Sequence, residues 1–154
     1  MSTPAGAAPN IMTHFGLCVR DLEVSERFYT EALGFTRTHG QHAGNDFAQL
    51  LGLPTLDIDL VMVTLGHQRI ELICHRNPIA GDSPGKPVNT IGFTHMAFNV
   101  PDVDAAIERI KRFGGSFDPK QRAELTINGE DRVYAFLRDP DGNRIELIKG
   151  SVIG

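Results

Sequence analysis

Thr94-His95-Met96-Ala97-Phe98-Asn99-Val100-Pro101-Asp102-Val103 decides how this chain is read, because it is a second copy. Residues 13–22 read Thr-His-Phe-Gly-Leu-Cys-Val-Arg-Asp-Leu, so Thr, His, Val and Asp recur 81 residues apart. Each copy runs into a helical pattern and ends in one pentapeptide, Arg69-Ile70-Glu71-Leu72-Ile73 and Arg144-Ile145-Glu146-Leu147-Ile148. A histidine near each start and a glutamate near each end place two imidazoles and two carboxylates at equivalent positions.

Working outward from the first copy, residues 11–19 alternate as a strand, with Phe15, Leu17 and Val19 opposite His14, Gly16 and Cys18. Asp21 is suited to cap a helix, its carboxylate accepting from amides of the first turn. Leu22, Ser25, Phe28, Tyr29, Ala32 and Leu33 form one helical stripe, which Gly34 stops. A second strand is expected at Phe35–His39, then a polar loop that includes His42, a turn region around Gly44 and Asn45, and residues Phe47–Leu51. Ile58–Leu65 and Gln68–Cys74 read as a hairpin about Gly66-His67, with His67 at the exposed tip. After a stretch rich in Pro, Gly, Asn and Ser the order repeats. Strand Phe93–Val100 leads to a helix begun at Pro101-Asp102, with Val103, Ala106, Ile107, Ile110 and Phe113 on one face. Gly114-Gly115 ends that helix. Strands follow at Ala123–Ile127, Val133–Leu137 and Arg144–Lys149, with turns at Asn128-Gly129 and Asp139-Pro140-Asp141-Gly142-Asn143.

The expected fold is therefore α+β, with two tandem βαβββ modules at residues 11–75 and 93–149. A linker at 76–92 joins them, and tails at 1–10 and 150–154 flank them. One such module leaves a sheet face bare, and two can pool their bare faces into a concave surface. Parity puts His14, Glu71, His95 and Glu146 on those bare faces, opposite the bulky apolar sets. A desolvated, unpaired carboxylate costs several kcal/mol, roughly 2–7 even for a neutral polar group. Two carboxylates and two neutral imidazoles are a set that a divalent cation neutralises, and mixed nitrogen–oxygen ligation suits Ni, Co, Zn, Mn or Fe(II). Taken singly, each residue is an ordinary solvated strand residue, and Arg69 or Arg144 could pair with the glutamates; the joint pattern points to metal. Cys18 and Asn99 share the parity of the two histidines and are candidate pocket residues.

The composition excludes several classes. The 154 residues are 41% hydrophobic and 22% charged, as in globular proteins. A net charge of -4 argues against a nucleic-acid partner. No apolar run reaches membrane-spanning length, and residues 1–10 lack the pattern of a signal peptide. Two cysteines, Cys18 and Cys74, are too few for a disulfide framework and match no zinc or redox spacing, so the reducing cytoplasm is the expected home.

Between residues 11 and 149 the chain resembles the vicinal oxygen chelate superfamily, which includes glyoxalase I, methylmalonyl-CoA epimerase, fosfomycin-resistance proteins, extradiol dioxygenases and bleomycin-binding proteins. The resemblance is carried by His14 with Val19-Arg20-Asp21-Leu22, by Phe28-Tyr29 through Leu33-Gly34-Phe35, by His95, and by Asp139 through Leu147. It implies a curved mixed sheet around a metal-centred cleft, with His14, Glu71, His95 and Glu146 as ligands. The His, Glu, His, Glu order matches bacterial glyoxalase I most nearly. The implied chemistry is lyase or isomerase proton transfer through a metal-stabilised enediolate of a small-molecule substrate, with Glu146 as first choice of base and Glu71 opposing it. Members of the family often form homodimers. The sequence departs from glyoxalases I at Cys18 and His75, where they typically carry an arginine and an asparagine for glutathione. The alternatives are, in order, an epimerase of the methylmalonyl-CoA type, an Fe(II) extradiol dioxygenase using His14, His95 and Glu146, and a non-catalytic drug-binding protein.

Overall fold

The computed structural model describes residues 10–82 and 87–150, so all but residues 10 and 150 of the expected tails at 1–10 and 150–154, and the middle of the linker, lie outside the described residues. Module 1 runs β1 (Phe15–Val19), α1 (Leu22–Arg27), β2 (Thr36–Ala43), β3 (Asp57–Leu65) and β4 (Gln68–Asn77). Module 2 runs β5 (Met96–Asn99), α2 (Val103–Arg112), β6 (Ser116–Ile127), β7 (Glu130–Arg138) and β8 (Arg144–Lys149). Each module forms a four-stranded mixed sheet, ordered β1-β4-β3-β2 and β5-β8-β7-β6. The first and last strand of each module pair in parallel, Gly16 opposite Glu71 and Ala97 opposite Glu146.

The repeated aspartates do equivalent work. The side chain of Asp21 accepts from the Val24 amide and that of Asp102 from the Ala105 amide, both at 3.0 Å, satisfying a free donor of each first turn. The first helix then widens into a π-helical turn, Phe28–Ala32, and ends at Gly34, whose φ of 81° is open to glycine.

Two expectations are corrected, and one unassigned stretch is filled. The second strand extends to Ala43, so His39 and His42 lie on β2 rather than in a loop. That strand is an exposed edge with no apolar alternation to betray it. Residues near Phe47–Leu51 form two 3₁₀ turns, Asn45–Phe47 and Gln49–Leu51. The strand expected to begin at Ala123 begins at Ser116. Pro119 is tolerated because β6 is an edge strand, and the register slips between Phe117 and Arg122 to accommodate it.

A main core links the modules. Ile70, Leu72, Ile145 and Leu147, from the last strand of each sheet, are fully buried within it, as are Phe28 and Ile110 from the helices. Each such side chain stabilises by roughly 1.5–3 kcal/mol relative to exposure. Directional contacts fix the docking. Phe35 meets Phe98 edge to face at 6.1 Å, and Arg109 Nε donates to the Ala32 carbonyl at 2.7 Å. The Tyr29 hydroxyl donates to Asp139 at 2.9 Å, and Ser25 donates to Asp141 at 3.3 Å. The modules thus share their apolar, helix-bearing sides. Among the described residues no helix is long and apolar enough to cross a membrane.

Candidate functional site

Parallel pairing sets the site's geometry. His14 and His95 stand just before β1 and β5, beside the strands that carry Glu71 and Glu146. On β4 and β8 the neighbouring isoleucines and leucines turn into the core, which sends both glutamates to the open face. His14 Nε2 lies 3.6 Å from Glu71 Oε2, and His95 Nε2 lies 3.2 Å from Glu146 Oε2. The side chains are 37% and 23% exposed in the first pair and 31% and 16% in the second, so both pairs are open to solvent and the second is drier.

A further repeated residue fixes each imidazole. Thr13 Oγ1 is 3.0 Å from His14 Nδ1, and Thr94 Oγ1 is 2.9 Å from His95 Nδ1. In the tautomer whose Nδ1–H donates to the threonine, the Nε2 lone pair faces the carboxylate side, as a metal-ligating histidine requires. The threonines recur in the sequence at the same offset as the histidines, and their position next to each one was the signal for this role. His95 is also held edge-on by Phe136, ring centroids 5.2 Å apart.

Each pair offers one nitrogen and one oxygen donor, half of a four-ligand set. Among the described residues, no three His, Cys, Asp or Glu side chains come together around a possible ion position. The recess in front of His14 is lined by Met12, Thr13, Phe15, His67, Gln68 and Arg69, all of module 1. A separate cleft of ≈560 Å³ opens on module 2, with Lys120, Tyr134, Phe136, Arg138 and Arg144 in its wall. The four expected ligands therefore stand as two pairs within one chain. The chain's own modules do not pool their open faces, because burying apolar surface joins them on the other side.

Cys18 and Asn99 are exposed further along their strands, and neither lines the recess before His14 or the module-2 cleft. Asn99 Nδ2 donates to the Gly150 carbonyl at 2.7 Å and so ties down the segment after β8. Desolvation, with Cys74 and Asp141 adding to it, raises the Cys18 thiol above its ordinary pKa and keeps it protonated at neutral pH. His67 is exposed at its hairpin tip. His42 is engaged by Asp59 at 3.2 Å, away from either pair. Lys120 and Arg138 of the module-2 cleft went unread, although the alternation Tyr134, Phe136, Arg138 puts those three on one face.

Residues 11–147 match the sequence profile of the Glyoxalase/Bleomycin resistance protein/Dioxygenase superfamily. A lactoylglutathione lyase of Salmonella typhimurium is 29% identical over 143 residues, 93% of this chain and 95% of that protein. An ethylmalonyl-CoA/methylmalonyl-CoA epimerase of Cereibacter sphaeroides is 27% identical over 143 residues, covering 88% of this chain and 95% of that enzyme. The crystal structure of a glyoxalase family protein from Bacillus cereus has the same fold, with a TM-score of 0.80 at 21% identity over 96% of this chain and 98% of the other.

Proposed function

Because the chain belongs to the glyoxalase/bleomycin resistance protein/dioxygenase superfamily, we propose that it is a divalent-metal-dependent, glyoxalase I-like lyase or isomerase that moves a proton on the carbon beside a carbonyl. Its metal site is assembled from two copies of the chain: His14 and Glu71 of one copy face His95 and Glu146 of another. The observation that carries this reading is the pair of equivalent His–Glu couples, each with its imidazole anchored through Nδ1 by a threonine. A lone couple is an incomplete ligand set, and a second copy supplies the complement. Exposed apolar side chains next to the couples, Met12 and Phe93, suit burial in such a contact.

The bound cation would supply Lewis-acid polarisation of the substrate's oxygens. The rest belongs to the chain. His14 and His95, fixed through their far nitrogens, hold position without reorganising. Glu146, the drier carboxylate, takes the proton from the substrate carbon and returns it to the neighbouring one. Glu71 stands on the opposite side as the second carboxylate. The two free thiols, Cys18 and Cys74, suit a reducing cytoplasm.

Elemental analysis with analytical ultracentrifugation tests the proposal. Protein incubated with nickel, cobalt, zinc, manganese or ferrous iron should sediment as a dimer and hold about one ion per chain. Protein that stays metal-free with all five refutes it. With metal loaded, formation of S-lactoylglutathione from methylglyoxal and glutathione identifies the lyase. Solvent deuterium exchange at an acyl-CoA α-carbon identifies instead the epimerase, a reading favoured by the presence of two carboxylates, one for each side of the reacting carbon.

A further inference from the structure

The two histidine–glutamate pairs share one plan but are not equally held. Phe136 lies directly opposite Glu146 on the neighbouring strand, and its ring meets the His95 imidazole at a centroid distance of 5.2 Å and an interplanar angle of 85°. Perpendicular rings at this separation attract because the positive edge of one faces the negative face of the other. His95 is thus held at two points, through Nδ1 by Thr94 and through its ring plane by Phe136. At the corresponding place beside Glu71 stands Met62, an unbranched side chain with no ring to offer His14. The two pairs differ accordingly. The imidazole-to-carboxylate distance is 3.2 Å in module 2 and 3.6 Å in module 1, and Glu146 is less exposed than Glu71.

Side chains directly opposite each other across two strands start about 5 Å apart, so one aromatic ring reaches both members of the module-2 pair. A hydrogen bond to Nδ1 alone lets an imidazole rock about that contact. A ring packed perpendicular to the imidazole removes this freedom before a cation arrives, and less motion is then lost when the cation binds. Phe136 also fills volume beside Glu146 that water would otherwise take.

We propose that Phe136 is a positioning residue of the metal site: it locks the His95 imidazole and shields Glu146, making module 2 the stiff half of the site and leaving module 1 the adjustable half. The effect on the cation rests on the metal-assisted reading, whereas the lock on His95 exists without it.

The test uses the full chain and begins with chelator-treated protein. The Phe136 ring current should displace the His95 ring-proton NMR signals from the positions of a free histidine. Phe136→Met, which installs the residue type that module 1 carries at this place, should return them, and Phe136→Tyr should keep the displacement. Signals that do not move in Phe136→Met overturn the lock. Cobalt(II) alone is then titrated in competition with a chromogenic chelator. Phe136→Met should bind it about 2–10-fold more weakly and shift the visible absorption bands of the bound ion, while Phe136→Tyr and Met62→Leu should stay close to the native protein in both. Native affinity and unmoved bands in Phe136→Met overturn the positioning role and leave the proposed reaction standing. An equal loss in Met62→Leu overturns the inequality of the halves. Protein that never takes up cobalt loses the proposed reaction, and the His95 signals then decide the lock alone.

Discussion

On the module-1 sheet the histidine–glutamate pair lies beside Met62, with Leu60, Ile73 and Ile58 further along the same face under the 3₁₀ turns. On the module-2 sheet the equivalent pair lies beside Phe136, with Arg138, Arg144 and Tyr134 around it. The backbone plan, the strand pairing and the threonine anchor are common to both. Arg69 and Arg144 stand at equivalent places; what differs is the lining beyond them, Leu60, Ile73 and Ile58 on one face and Tyr134, Phe136 and Arg138 on the other. The comparison teaches that the repeat keeps the donor atoms constant while leaving each surrounding face free to acquire a different task. In the proposed dimer the two kinds of face meet.

The sharpest way to break the comparison is to exchange the two carboxylates' roles. Glu146→Gln should lower kcat by about 10²–10⁴-fold, the ordinary reach of a positioned proton-transfer group. Glu71→Gln should weaken metal binding comparably but lower kcat less once metal is saturating. Equal losses of kcat in steady-state assays at saturating metal would make the two faces functionally equivalent. The threonines sharpen the symmetric half of the argument. Thr13→Val and Thr94→Val should each weaken metal affinity by about 10–100-fold, read by competition with a chromogenic chelator. A loss in only one of them would show that the repeat had ceased to be equivalent at its anchors.

A smaller effect is expected where the modules touch. Tyr29→Phe removes a donor from the buried Asp139 carboxylate and should destabilise the fold by about 1–3 kcal/mol in urea denaturation, with metal affinity per folded molecule retained. Asp139 itself gives a pH signature. Burial raises its pKa above the usual carboxylate value, against the hydrogen bonds from Asn143 and Tyr29 that lower it. A folded-state value above the unfolded one stabilises fully below the unfolded pKa, about 3.9, and that contribution is lost as pH rises through the folded value. Relative to Asp139→Asn, the native protein should therefore lose Tm as pH rises from about 4, in thermal melts taken across that range.

Much of this was legible in the chain because strand parity is a local property. The alternation around Ile70–Leu72 and Ile145–Leu147 assigned both glutamates to open faces, and the recurring aspartates marked both helix starts. Edge strands were the blind spot. Thr36–Ala43 has no buried face to impose a pattern, and residues 116–122 fall in no expected element although they lie within β6. The relative placement of the modules was also out of reach, since parity says which face is apolar but not which faces meet. Tyr29 with Asp139, 110 residues apart, is an instance: nothing local to either residue announces the other.

The turn before the last strand carries a consequence for the duplication itself. Module 1 reaches β4 through a tight two-residue bend at Gly66-His67, whereas module 2 reaches β8 through Asp139-Pro140-Asp141-Gly142-Asn143, whose two aspartates hold Tyr29, Ser25 and the Arg20 amide of the other module. The strand bearing Glu146 is thus aligned by a neighbour it did not inherit. The halves have stopped being interchangeable parts, and a chain built from two copies of either one would lack the cross-brace that sets its own last strand.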